Sequence, residues 1–113
     1  MAIIQREKLL GPIQVAELWI ERPPANVLDL EHCRDLLTCL RAIQQENRYR
    51  IVILRGAGRG FSAGVDIAQH TAAMMPTLLP AFHAIFEALL GLKAISIAAV
   101  QGFCLGGAAE LAL

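Results

Sequence analysis

Two short apolar runs constrain this chain most. Ile51-Val52-Ile53-Leu54 and Ile95 to Val100 each lead directly into a glycine-rich loop. Runs of this length, rich in β-branched residues, read as strands of a parallel sheet covered on both faces. The loops are Gly56-Ala57-Gly58-Arg59-Gly60-Phe61-Ser62-Ala63-Gly64 and Gln101-Gly102-Phe103-Cys104-Leu105-Gly106-Gly107. Parallel neighbours need crossover connections, and helical patterns stand where those crossovers belong.

Upstream, Ile13 to Ile20 alternates in the manner of a half-buried strand, and Gly11-Pro12 marks a turn before it. Ile3 to Leu10 is then its antiparallel partner. Pro23-Pro24 stiffens the loop that follows. Asp29 is the expected N-cap of a helix whose apolar stripe is Leu30, Cys33, Leu36, Leu37, Leu40 and Ile43, ending near Asn47. Leu79, Phe82, Phe86, Leu89 and Leu90 mark a second helix, with Pro80 near its start and Gly91 near its end. A third helix begins at about Ala108 and reaches Leu113 with no stop signal, so it reads as the start of a longer helix. The order is that of an α/β fold with βαβ crossovers.

Composition excludes several classes. The 113 residues carry 10 Lys+Arg and 10 Asp+Glu, so there is no basic excess to neutralise nucleic-acid phosphates. Apolar residues make up 56%, more than a chain this short needs for its own core, which predicts faces that meet other subunits or further chain. No apolar stretch approaches the ~18 residues of a membrane span. The start, Met1 to Lys8, lacks the order of a secretory signal, so a cytoplasmic location is expected. Cys33, Cys39 and Cys104 are odd in number and fit no C-x-x-C spacing, which favours buried thiols over disulfides or zinc.

Gly60-Phe61-Ser62-Ala63-Gly64 matches the G-x-S-x-G elbow of serine hydrolases. That elbow sits directly between strand and helix, whereas Gly56 to Gly60 already separates the strand from Phe61. Asp66, His70 and His83 are the triad partners on offer, and Asp66 and His70 lie too close in sequence to serve well. The glycines form neither G-x-G-x-x-G nor a P-loop. His32, His70 and His83 share no metal-ligand spacing. Met74-Met75 reads as gap-filling beside a cavity or as core. Arg48, Arg50, Arg55 and Arg59 could hold a phosphate or form a solvated face.

Two features ask for more than packing. Ala63-Gly64-Val65-Asp66 and Leu105-Gly106-Gly107-Ala108-Ala109-Glu110 each stand where a loop enters a helix after a strand. Unpaired N–H groups at a helix start stabilise negative charge, and glycine admits a ligand close to the backbone. Glu110 interrupts an apolar helix. It either faces water or is buried for a task.

These two segments resemble those of the enoyl-CoA hydratase/isomerase, or crotonase, superfamily. The likeness rests on Gly60-Phe61-Ser62-Ala63-Gly64-Val65-Asp66-Ile67 and on Ala98 through Leu111, in register from about Ile13 onward. Arg22-Pro23-Pro24-Ala25-Asn26-Val27-Leu28 resembles the family's early CoA-contacting loop. Within the family, Ser62 to His70, Phe82-His83 and Pro24 to Asp29 are similar to cyclohexa-1,5-diene-1-carbonyl-CoA hydratases. The resemblance implies the crotonase-like ββα superhelix, of which residues 1–113 are the N-terminal part of a single domain, cut in the helix beginning near Gly107.

The same resemblance implies an acyl-CoA substrate, a hydratase reaction, and an oxyanion hole formed by the Val65 and Gly107 amides. Glu110 matches one of the two glutamates that act on water and the α-carbon; the second lies beyond Leu113 in the family. Pro24, Ala25, Asn26, Ala63, Gly64, Val65, Asp66, Ile67, Gly106 and Gly107 are the implied CoA and acyl contacts. No metal or other cofactor is implied, coenzyme A being part of the substrate. The implied assembly is a trimer or a dimer of trimers. An isomerase, or a non-catalytic acyl-CoA-binding or assembly fragment, is the alternative, and the 113 residues alone are expected to be inactive. Ala108 stands where a third glycine is frequent, and its methyl is expected to narrow the acyl pocket.

Overall fold

The computed structural model describes residues 3–113. Strands β1 (Ile3–Leu10) and β2 (Ile13–Ile20) form an antiparallel hairpin in which Leu10 faces Ile13 and Ile3 faces Ile20. Helix α1 (Leu30–Glu46) leads to β3 (Ile51–Gly56), and α2 (Met75–Leu90) leads to β4 (Ile95–Ala99). The chain then enters α3 (Gly107–Ala112). The sheet runs β1-β2-β3-β4, with β3 parallel to both β2 and β4. Each parallel step therefore carries a helix, as the crossover argument requires.

Alternation decides which side chains meet. Ala16, Leu18 and Ile20 of β2 and Val52 and Leu54 of β3 join Leu36, Leu40 and Ile43 of α1 and Leu78, Phe82 and Ile85 of α2 in one buried cluster. Burying each large apolar side chain contributes about 1.5–3 kcal/mol, so this cluster dominates the fold's stability. Asp29 caps α1 by accepting the His32 N–H at 2.8 Å, and Asn47 closes it in the left-handed region at φ 54°.

The opposite sheet face holds a buried charge that no sequence pattern announced. Glu17 is 1% exposed; Arg55 Nε donates to its Oε2 at 2.6 Å, and Lys8 Nζ lies 3.4 Å from Oε1. Arg6 and Arg55 both stack on the Trp19 ring. Arg48 is committed to Glu7 and Glu46. Two of the four arginines offered as a phosphate site are thus already paired with carboxylates.

Three expectations need correction. β4 is not buried on both faces: Ile95 is 65% and Ile97 44% exposed, because β4 pairs only with β3 and no described element covers its outer side. In β3, Ile51 and Ile53 are half-buried for the same lack of cover. Helix α2 starts at Met75, with Pro76 in its first turn, and Pro80 lies inside it. A proline in that first turn forfeits no intrahelical bond, so Pro76 and not Pro80 is the start signal. Among the described residues no helix is long and apolar enough to cross a membrane.

Candidate active site

The site begins with a loop held by one side chain. Asn26 is buried, with φ 52°. Its Nδ2 donates to the carbonyls of Ala57, Gly60 and Phe61, and its Oδ1 accepts the Arg22 N–H at 2.8 Å. The 22–28 loop is thereby fastened to the first glycine loop. Backbone bonds complete the seam: Ala63 N–H to Ala25 O, Leu28 N–H to Gly64 O, and Asp66 N–H to Leu28 O. The second glycine loop joins on the other side through Leu105 N–H to Ser62 O at 3.1 Å.

These bonds determine where two amides point. The Gly64 carbonyl and the Val65 N–H belong to one planar trans peptide and face opposite ways. With the carbonyl held by Leu28 N–H at 2.8 Å, the Val65 N–H is directed away from Leu28. The Gly106 carbonyl accepts from Ala109 and Glu110 inside α3, which turns the Gly107 N–H outward from the helix start. Among the described residues neither N–H has a protein acceptor.

Glycine is required for this approach. Gly64 sits at φ +107°, and a Cβ there would lie 2.8 Å from the Leu105 carbonyl oxygen and 3.6 Å from Gly107 N. The two amides therefore flank a shared space. That space is a cleft of about 360 Å³ whose walls include Ala63, Gly64, Val65, Ile67, Gly106, Gly107 and Glu110. Met75, Leu78, Leu79 and Phe82 of α2 form its apolar side, and His70 stands beside them.

The sequence profile of the family described as Enoyl-CoA hydratase/isomerase matches residues 12–113. The chain belongs to this family. It is 35% identical over 103 residues to a probable enoyl-CoA hydratase of Bacillus subtilis, a match covering 88% of this chain and 40% of the relative. It is also 35% identical over 101 residues to a hexahydro-indene-carboxyl-CoA hydrolase of Mycobacterium tuberculosis, covering 82% and 39%. The crystal structure of an enoyl-CoA hydratase from Bacillus anthracis superposes with a TM-score of 0.86 at 30% identity, over 99% of this chain and 44% of that one. The chain thus spans about two fifths of the length of these relatives, and the fold they share with it is the crotonase fold.

In this enoyl-CoA hydratase/isomerase family member, the remaining sequence-predicted residues divide. Pro24, Ala25 and Asn26 do not line the cleft; the Asn26 amide is committed to backbone, and the Ala25 carbonyl to Ala63. Asp66 is likewise occupied, accepting from Ala68 N–H at 2.9 Å and from Arg22 at 3.3 Å. Arg22 also reaches Asp29 at 3.3 Å. Burial works to raise the Asp29 carboxyl, but the His32 backbone and ring N–H groups and Arg22 outweigh it, so its pKa lies below the ordinary value. Glu110 lies on the cleft wall and is exposed, so its carboxylate bears no burial cost within the described residues.

Two further expectations fail on geometry. The first loop enters only a 3-10 turn, Ile67–Gln69, which is too short for a helix dipole, so the peptide plane alone aims the Val65 N–H. Ala108 is wholly buried in the core cluster, and its methyl does not narrow the cleft. Ser62 is buried and its hydroxyl donates to Asn26 O at 2.6 Å, in agreement with the sequence reading against a nucleophile elbow. The α2 wall was not assigned to the site from the sequence. Its signal was present, since Met75, Leu78, Leu79 and Phe82 recur at i, i+3, i+4 and i+7, but that spacing reads the same for core and for cleft.

Proposed function

We propose that the protein carrying this segment is a hydratase that adds water to an α,β-unsaturated acyl-CoA thioester. The observation that carries the reading is the pair of unpartnered amides, Val65 and Gly107, on one wall of a cleft that also holds Glu110. Water addition builds negative charge on the thioester oxygen. Two fixed N–H donors stabilise that charge more than they stabilise the neutral ester, which is what lowers a barrier. Each such donor is worth about 2.7–4 kcal/mol in the transition state. Glu110, exposed to the water it would activate, serves as the proton-transfer group, worth roughly 10²–10⁴ in rate. Family membership and the names of two relatives, one a probable enoyl-CoA hydratase and one a carboxyl-CoA hydrolase, support the substrate class.

The finer reading is a cyclic dienoyl ester, supported by the Ser62 to His70 likeness and by a cleft whose far side is apolar. Coenzyme A enters as part of the substrate and no further cofactor belongs to this reading. A cytoplasmic trimer or dimer of trimers is the accompanying assembly, for which exposed Leu90, Ile95 and Leu105 offer apolar surface. The 113 residues alone are read as holding the ester without turning it over.

An isomerase is the second reading. It shares the oxyanion pair and moves a proton instead of adding water. Incubating the full-length protein with crotonyl-CoA, with cyclohexa-1,5-diene-1-carbonyl-CoA and with the unconjugated but-3-enoyl-CoA decides among these. A hydroxyacyl product supports hydration, conversion of but-3-enoyl-CoA to crotonyl-CoA supports isomerisation, and turnover of none of the three defeats both.

A further inference from the structure

Ser62 occupies a motif position that the proposed chemistry leaves unused, yet it is wholly buried. Its hydroxyl donates to the Asn26 carbonyl at 2.6 Å and accepts the Gly64 N–H at 3.1 Å. Along residues 61–66, the N–H groups of Phe61, Ser62, Ala63 and Asp66 all reach backbone carbonyls. Gly64 N–H is held by a side chain, and Val65 N–H has no protein acceptor among the described residues. The peptide that presents the Val65 amide is therefore fixed at its carbonyl by Leu28 and, one peptide earlier, by the Ser62 hydroxyl.

The anchor beneath that hydroxyl is firm, since the Asn26 side chain makes four hydrogen bonds of its own. The element it restrains is not. Gly64, at φ +107°, has no Cβ to limit it, so once its N–H is released only the Leu28 bond to its carbonyl restrains the peptide.

We propose that Ser62, seated on Asn26, is a positioning residue that sets the direction of the Val65 amide. The proposal rests on the oxyanion reading of Val65 given above. Removing the hydroxyl leaves the Gly64 N–H and the Asn26 carbonyl unpaired, and the Gly64-Val65 peptide tilts to recover partners. The ester still binds, but the donor no longer meets the oxygen where charge develops.

The test uses the full-length protein and the variants Ser62→Ala and Ser62→Cys. It measures kcat and KM for an unsaturated acyl-CoA, melting temperature, and the infrared carbonyl stretch of a bound saturated acyl-CoA. In Ser62→Ala, kcat should fall about 10- to 100-fold while KM stays within about threefold, the pattern of lost alignment. The downshift of the bound carbonyl stretch should shrink in parallel, with Ser62→Cys intermediate because its thiol is a weaker partner. A lowered melting temperature with wild-type kcat and carbonyl shift would show a merely structural serine and overturn the proposal. If Ser62→Ala does not fold, Ser62→Cys decides the question through the same kcat and carbonyl readouts. A wild-type protein that neither turns over the ester nor shifts its carbonyl defeats the oxyanion reading itself. A wild type that does both, beside variants that do both, defeats only the role of Ser62.

Discussion

Val65 closes over Gly107: a β-carbon added at Gly107 would sit 3.0 Å from Val65 Cγ2, and equally 3.0 Å from Phe82 Cζ. The position is thus a slot one hydrogen wide between two apolar walls. Gly107→Ala keeps the N–H and narrows the slot, so it should raise KM and leave kcat within about tenfold. Gly107→Pro occupies a first helical position that suits proline but removes the donor, and should cost a further ~10²–10³ in kcat. Steady-state kinetics on the pair separates the crowding from the lost donor.

Glu110 is exposed and makes no side-chain hydrogen bond within the described residues, so its removal should not touch the fold. Glu110→Gln is expected to change unfolding free energy by less than ~0.5 kcal/mol. It should lower hydration by roughly 10²–10⁴ with KM little altered. Wild-type turnover in this variant would remove Glu110 from the chemistry.

Asn26 bears on stability. Asn26→Ala would leave two buried carbonyls, of Gly60 and Phe61, and the part-buried Ala57 carbonyl and Arg22 N–H without their partner. At ~1–3 kcal/mol for each buried group left unpaired, the loss should reach about 3 kcal/mol or more by urea denaturation. A smaller loss would mean that water replaces the amide.

The Asp29 carboxyl titrates below its ordinary value of 3.8 when folded, through His32 and Arg22 acting against burial. Its contribution to stability is therefore complete above that value and disappears as pH falls through the folded pKa. Asp29→Asn should be less stable than wild type at neutral pH, with the gap closing below about pH 4. Melting temperatures of both proteins across that range would test it; a gap independent of pH would assign the effect to capping alone.

Burial first, and the Asp29 charge second, push the Cys33 thiol up to about 11, while Cys104 is partly exposed. A thiol reagent at about pH 8 should label Cys104 first and reach Cys33 and Cys39 only on unfolding. Early labelling of Cys33 would contradict the packing of α1.

The hairpin, both helical crossovers and the caps of α1 were legible because each is dictated by near neighbours in sequence. Alternation over Ile13 to Ile20, the turn at Gly11-Pro12, the Asp29 cap and the helix end near Asn47 are all local events. Local pattern misplaced the start of α2, since Pro76 and Pro80 carry similar punctuation and only the helix geometry shows which one begins it. It also marked β4 as covered, because an apolar run states what a strand would bury against and not whether that partner is present.

From the chain alone, then, came the α/β order, the family likeness and the two glycine junctions bearing Val65, Gly107 and Glu110. What awaited the tertiary structure was every relation between segments distant in sequence. Asn26 as a clamp, Ser62 as a buried tie, the Glu17–Arg55 pair and the α2 wall of the cleft all belong to this second group. The reason is physical: periodicity and capping are encoded within a few residues, whereas the direction of an amide is set by whichever strand holds the other end of its peptide.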